Sequence, residues 1–142
     1  MMGMIIQVAA AFVAITAFSA FLYASRKHVL YCGAAGALGW FTYLVLEPLG
    51  IGVVTRNFYA ALAVAFLAHI FARTKKAPVT VFLATGILPM VPGAGMYQIA
   101  YHIFVGDHQM TSFYLVQTLQ IAGVIALAVF LTDSFFRIFQ KK

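Results

Sequence analysis

An all-α integral membrane protein with about five transmembrane helices is the architecture expected from this amino-acid sequence. Of the 142 residues, 64% are hydrophobic and 8% charged, and the mean hydropathy is +0.99. A water-soluble domain is about half apolar and a quarter charged, so most of this chain must face lipid or other apolar helices. The apolar residues gather in runs close to a bilayer crossing, about 20 residues each. Basic residues stand at the ends of those runs. The loops are too short for a soluble domain, and residues 1–142 read as a single membrane domain.

The first run, Met4–Ser25, lacks the basic start and short apolar core of a secretory signal and reads as a first span. The second, Val29–Leu46, carries Gly33, Gly36 and Gly39 with Ala35 and Ala37 among them. Small residues at this spacing let helix backbones approach closely, either as a seam within the chain or against another subunit. Asn57–Ala72 is the shortest run, and its helix is allowed an earlier start. Pro78–Val105 is the fourth segment and Phe113–Phe135 the fifth. Cys32 lies inside an apolar run, where it serves as a small hydrophobe.

Charge decides the topology. Five crossings place Arg26, Lys27, Arg73, Lys75, Lys76, Arg137, Lys141 and Lys142 on one side, and only Arg56 on the other beside Glu47 and Asp107. Lysine and arginine mark the cytoplasmic side, so the amino terminus is expected outside and the carboxyl terminus in the cytoplasm. A re-entrant hairpin at Pro78–Val105 would split the basic residues five against four and erase this asymmetry. The fourth span is therefore expected to be broken but complete. The net charge of +6 reports membrane orientation and implies no nucleic-acid partner.

At the centre of the apolar stretch Ala77–Gly106 stands Pro89-Met90-Val91-Pro92-Gly93-Ala94-Gly95. Each proline lacks an N–H donor, which frees the carbonyl four residues earlier, at Thr85 and at Leu88. Gly93 and Gly95 allow backbone conformations that other residues resist. Two half-helices should result. The first ends in carbonyls of partial negative charge, and the second begins in N–H groups of partial positive charge. Such a break at mid-membrane suits a small polar solute, and a zwitterionic amino acid matches both ends. A kink that only shapes packing is the alternative.

Around this break the residues expected to bind solute are Thr85, Pro89, Pro92, Gly93, Gly95, Gln98, Tyr101, Arg56 and Gln117. Arg56 either steers a carboxylate or pairs with Glu47 at the interface. His102 is placed either to exchange protons or to anchor at the interface. Gln117 and Gln120 share a face suited to interhelical hydrogen bonds, with solute contact as a second role. Asp133 and Arg137 are spaced for an i,i+4 ion pair, and His69, near the cytoplasmic end of the third span, is placed to pack or snorkel. There is no Gly-x-Ser-x-Gly, no His-Glu-x-x-His and no acid pair within a span, so neither an enzyme nor a cofactor or metal site is expected.

The run Ala77-Pro78-Val79-Thr80-Val81-Phe82-Leu83, followed by Gly86-Ile87-Leu88-Pro89-Met90-Val91-Pro92-Gly93-Ala94-Gly95-Met96-Tyr97, resembles the signature of the threonine/serine exporter family. Arg73, Lys75 and Lys76 supply the basic loop before it, and Met90 replaces the more usual leucine. The resemblance is clear over Asn57–Tyr101. It implies a bacterial inner-membrane exporter of threonine or serine, or of a small carboxylate such as succinate, working by alternating access. It also implies that a chain of this length is the small, C-terminal-half-like subunit beside a larger membrane subunit, with higher oligomers open. A membrane scaffolding subunit and a homo-oligomeric channel are the competing readings.

Overall fold

Helices form wherever apolar runs leave the backbone no water to bond, because only a closed hydrogen-bond ladder satisfies it in lipid. A computed structural model of the chain describes residues 1–22 and 24–140. It contains α1 (Met2–Phe21), α2 (Val29–Leu46), α3 (Val53–Lys75), α4 (Val79–Gly86), α5 (Gly93–Val105) and α6 (His108–Gln140), with no strand among the described residues. Four helices are long and apolar enough to cross a membrane by themselves, and α4 with α5 makes a bent pair that passes the same test together, as a broken fifth span or a re-entrant loop. Lys141 and Lys142, counted above on the cytoplasmic side, lie outside the described residues.

The boundaries differ from the apolar runs where local chemistry extends or ends a helix. α1 stops at Phe21 rather than Ser25, as the chain tightens into a turn in which the His28 N–H donates to the Ser25 carbonyl at 2.7 Å. α3 begins at Val53, a turn before Asn57. α6 runs past its apolar core at both ends and has 33 residues, about 50 Å at 1.5 Å per residue. Asp107 caps its start by accepting the Met110 N–H on Oδ1 at 3.0 Å, and the Asp133–Arg137 ion pair lies in its last turns.

Two turns rely on left-handed residues. Gly106, at φ +80°, closes α5 while the Asp107 N–H donates to the His102 carbonyl at 3.0 Å. Lys76, at φ +52°, closes α3 in the same manner, with the Ala77 N–H on the Ala72 carbonyl at 3.1 Å. Pro78 then starts α4.

The glycines of α2 form a seam inside this chain, which settles the choice left open by their spacing. A side chain at Gly33 would strike Thr16 and Phe12 of α1, and one at Gly36 would strike Ile15. Gly39 faces Met90 and Val64 instead. α2 thus packs against α1 on one side and against α3 and α4 on the other. Its glycines leave no room for another subunit's helix.

The core lies in two layers. Ala60, Ala61 and Val64 of α3 meet Met90, Ile121, Ile125 and Ala128 in one. Ile15, Cys32, Ala68, Ala72 and Phe82 form the other, nearer the basic ends of α3 and α4. Phe82 is fully buried there, edge-on to Phe71 and His28. Outside these layers the helices expose large apolar side chains, as surfaces facing lipid tails do. α5 buries no residue at all and packs only on α6.

A polar cleft at the broken helix

The ladder of the fourth span is interrupted between Gly86 and Gly93. α4 ends at Gly86, residues Leu88–Met90 make one 3₁₀ turn, and α5 leaves at 47° to the first half. Met90 fixes the level of the break. Its side chain is buried against Gly39 and Val64, near the middles of α2 and α3. The sharp bend also divides the packing: α4 lies against α2 and α3, whereas α5 leans away onto α6.

The hydrogen bonds revise which backbone groups are free. The Thr85 carbonyl is bonded in the cap of α4, and the Leu88 carbonyl accepts the Val91 N–H at 3.2 Å. Tightening into a 3₁₀ turn has recovered both. Along the cleft the carbonyls left without a backbone donor among the described residues are those of Pro89 and Met90. On the other side of the break the Gly93 N–H turns back to the Val91 carbonyl at 2.7 Å, and the Met96 N–H reaches the Pro92 carbonyl at 3.1 Å. The N–H groups of Ala94 and Gly95 have no such partner among the described residues. Free acceptors and free donors therefore stand four to six residues apart.

These groups open on a cleft of about 340 Å³. Its backbone wall is Pro89, Met90, Val91, Pro92, Ala94 and Gly95, and its polar side chains are Asn57, Gln98, Gln117 and Thr118. Trp40, Tyr43 and Tyr114 supply aromatic walls. No lysine, arginine, aspartate, glutamate or histidine lines it. Asn57 is buried, and its Nδ2 donates to the Val53 carbonyl at 2.9 Å, which leaves the amide oxygen as its free acceptor.

Of the residues expected at the site, Pro89, Pro92, Gly95, Gln98 and Gln117 are gathered in this cleft. The others lie elsewhere, each for a visible reason. Thr85 is buried on another face of α4, its hydroxyl donating to the Val81 carbonyl at 2.9 Å. It borders a separate cavity with His28, Lys76 and Thr80. Tyr101 is half exposed and stacks with Tyr97 on the outer face of α5. Gly93 would meet nothing if it carried a side chain, and it lines no part of the cleft.

Arg56 sits behind the cleft wall. Its Nη1 is 3.0 Å from Glu47 Oε1, and its guanidinium lies 4.6 Å from the centre of the Tyr43 ring. The pairing with Glu47 thus holds, and Arg56 reaches the cleft only through Tyr43, which it supports from behind.

The role of the glycines also changes. Neither Gly93 nor Gly95 has a positive φ, so conformational freedom is not what the break uses. Gly95 is needed for closeness: a β-carbon there would collide with the Thr118 hydroxyl. That contact seats α5 on α6 and brings Gln98, Gln117 and Thr118 to one wall. Asn57, Thr118, Trp40, Tyr43 and Tyr114 were not anticipated from the sequence. Asn57, an amide opening an apolar run, was the one with a local signal; the other four join the cleft only through helix packing.

A multi-pass membrane protein whose discontinuous helix opens on an uncharged polar cleft is the class that this fold and site define. The chain belongs to the threonine/serine exporter family: the model of that family, described as "Threonine/Serine exporter, ThrE", matches residues 7–135. A probable threonine/serine exporter of Mycobacterium tuberculosis (strain ATCC 25618 / H37Rv) is 31% identical over 85 residues. That alignment covers 60% of this chain and 16% of the relative. No solved structure matches the chain.

Proposed function

We propose that this chain is the small subunit of a two-chain secondary transporter that exports threonine or serine from the cytoplasm. The family supports transport, and the uncharged cleft supports the solute. In that reading the carboxylate of the amino acid meets the free N–H groups of Ala94 and Gly95, where α5 contributes partial positive charge. The ammonium meets the carbonyls of Pro89 and Met90. The side-chain hydroxyl is left to Asn57, Gln98, Gln117 and Thr118, each able to bond it.

The absence of a charged lining is the observation that carries this choice. A zwitterion has no net charge to compensate. A dicarboxylate such as succinate would bring two negative charges to a site whose nearest described arginine already faces Glu47. Burying unpaired charge is far costlier than burying a paired dipole. Succinate is therefore the second reading, and it requires a cation from the partner.

The partner is proposed to be a larger membrane subunit of the same family, since the matched relative is much longer than the aligned region. The basic residues support a carboxyl terminus in the cytoplasm and an amino terminus outside, and the proposed membrane is a bacterial inner membrane. Alternating access would swing α5 and α6 against the anchored α2, α3 and α4.

Efflux of labelled threonine, serine and succinate from cells making this chain, with and without the larger subunit, tests the reading. Threonine and serine should leave faster only when both chains are present, and succinate should lag. Equal efflux without the partner would refute the two-chain arrangement, and succinate in the lead would refute the zwitterion argument.

A further inference from the structure

The seam between α3 and α6 carries a titratable pair that the cleft does not use. His69 is the only buried histidine among the described residues, at 6% exposure, and lies one turn from Arg73 on α3. Its ring stacks on Phe136 of α6 with centroids 4.5 Å apart. Its Nε2 is 3.8 Å from Asp133 Oδ1. That separation is too long for a hydrogen bond to a neutral ring. It is short enough for a strong ionic attraction once the ring is protonated. Packing alone gives no reason for a histidine here, because an apolar ring would fill the space without burying polar nitrogens.

The charges facing His69 oppose one another. Asp133 also pairs with Arg137, whose Nε is 2.7 Å from Oδ2. On α3, Arg73 lies over the Phe136 ring at 4.5 Å and donates to the Phe136 carbonyl at 3.4 Å. α2 and α4, also packed on α3, contain no charged residue. Their titratable groups are engaged elsewhere: Tyr31 with Phe71 and Lys75, Cys32 with the Val81 carbonyl, and Tyr43 with Arg56. The Asp133 carboxylate favours a protonated ring, whereas burial and the nearby Arg73 guanidinium favour a neutral one.

The position is also suited to coupling. α3 and α6 line the solute cleft through Asn57, Gln117 and Thr118. Between the cleft and His69 the same seam is packed with Ala60, Ala61, Val64, Ile121, Ile125 and Ala128. A change in attraction between α3 and α6 at His69 reaches the cleft through these shared, rigidly packed helices.

We infer that His69 and Asp133 form the proton-binding site through which a proton gradient drives this exporter. The ring nitrogen accepts one proton on its lone pair from outer-side water when the transporter faces outward, the imidazolium pairs with the carboxylate across the seam, and the proton is returned to cytoplasmic water at the Arg73 end when it faces inward. The inference rests on the export reading above.

The test uses membrane vesicles from cells making the full chain with its larger subunit. Labelled-threonine flux is measured twice, once driven by an imposed pH gradient and once as exchange at equal pH. His69→Gln and Asp133→Asn should each lower the driven flux by at least about tenfold and leave exchange within about twofold of the unaltered protein. A structural role would instead lower both fluxes together in both variants, and that result overturns the inference. Undiminished driven flux in either variant overturns it as well. If the unaltered protein shows neither flux, the failure lies with the export reading, and the coupling falls with it.

Discussion

Replacing Pro89 and Pro92 together by alanine should stabilise the chain and abolish export. Each proline removes a ladder hydrogen bond and costs about 3 kcal/mol in the interior of a helix. Alanine restores both donors, and the carbonyls of Pro89 and Met90 then gain a continuous ladder to pair with. In lipid that gain is large, because no water compensates an open group. The expected readout is a melting temperature higher by several degrees, with threonine efflux reduced to background. The loss follows from geometry: a straightened span removes the free donors and acceptors and pulls α5 from α6. A stabilised variant that still exports would separate the break from the transport function.

Gly95→Leu should have the second largest effect, and Gly93→Ala almost none. The two glycines are two residues apart, yet only Gly95 touches another helix, at the Thr118 hydroxyl. Forcing a side chain between packed helices costs about 1–3 kcal/mol and displaces them. α5 has no other helix to rest on, so displacement opens the cleft wall formed by Gln98, Gln117 and Thr118. Efflux from the leucine variant should fall at least about tenfold, since substrate positioning tolerates little misplacement. Shortening the obstacle with Thr118→Ala should restore part of the activity to Gly95→Ala. Gly93→Ala points into open space and should export at the normal rate. Equal sensitivity at the two positions would contradict the packing argument.

The membrane spans and the break were legible in the sequence because both are local. A run of apolar residues demands a helix whatever surrounds it, and two prolines in such a run interrupt the ladder by their own covalent structure. Gln98 and Gln117 were visible for a related reason, as amides in apolar surroundings that need partners. The orphan carbonyls were misplaced by one step. Proline chemistry names the bonds lost at Thr85 and Leu88, but a 3₁₀ turn recovers both and passes the vacancy to Pro89 and Met90.

What the sequence did not disclose depends on which helices touch. Thr85 shares the broken span, yet the facing of α4 turns it toward His28 and Lys76. Tyr101 is on α5, but the 47° bend leaves it on the exposed side. The purpose of Gly95 could not be read without knowing that α6 brings Thr118 against it. His69 and Asp133 are 64 positions apart and meet only because α3 and α6 run together.

Solute occupancy of the cleft is tested most directly by a single cysteine at its mouth. Ala94 is exposed and lines the cleft, and Cys32 is buried, so Ala94→Cys in a Cys32→Ala background gives one reactive thiol. The rate of labelling by a water-soluble thiol reagent is then measured in membranes containing both subunits, with and without threonine. Labelling should be readily detected and slowed at least about tenfold by saturating threonine, as for a site covered by its ligand. A thiol that never labels, being sealed in lipid, or one that labels at the same rate with threonine present, would contradict the claim that the broken helix holds the solute.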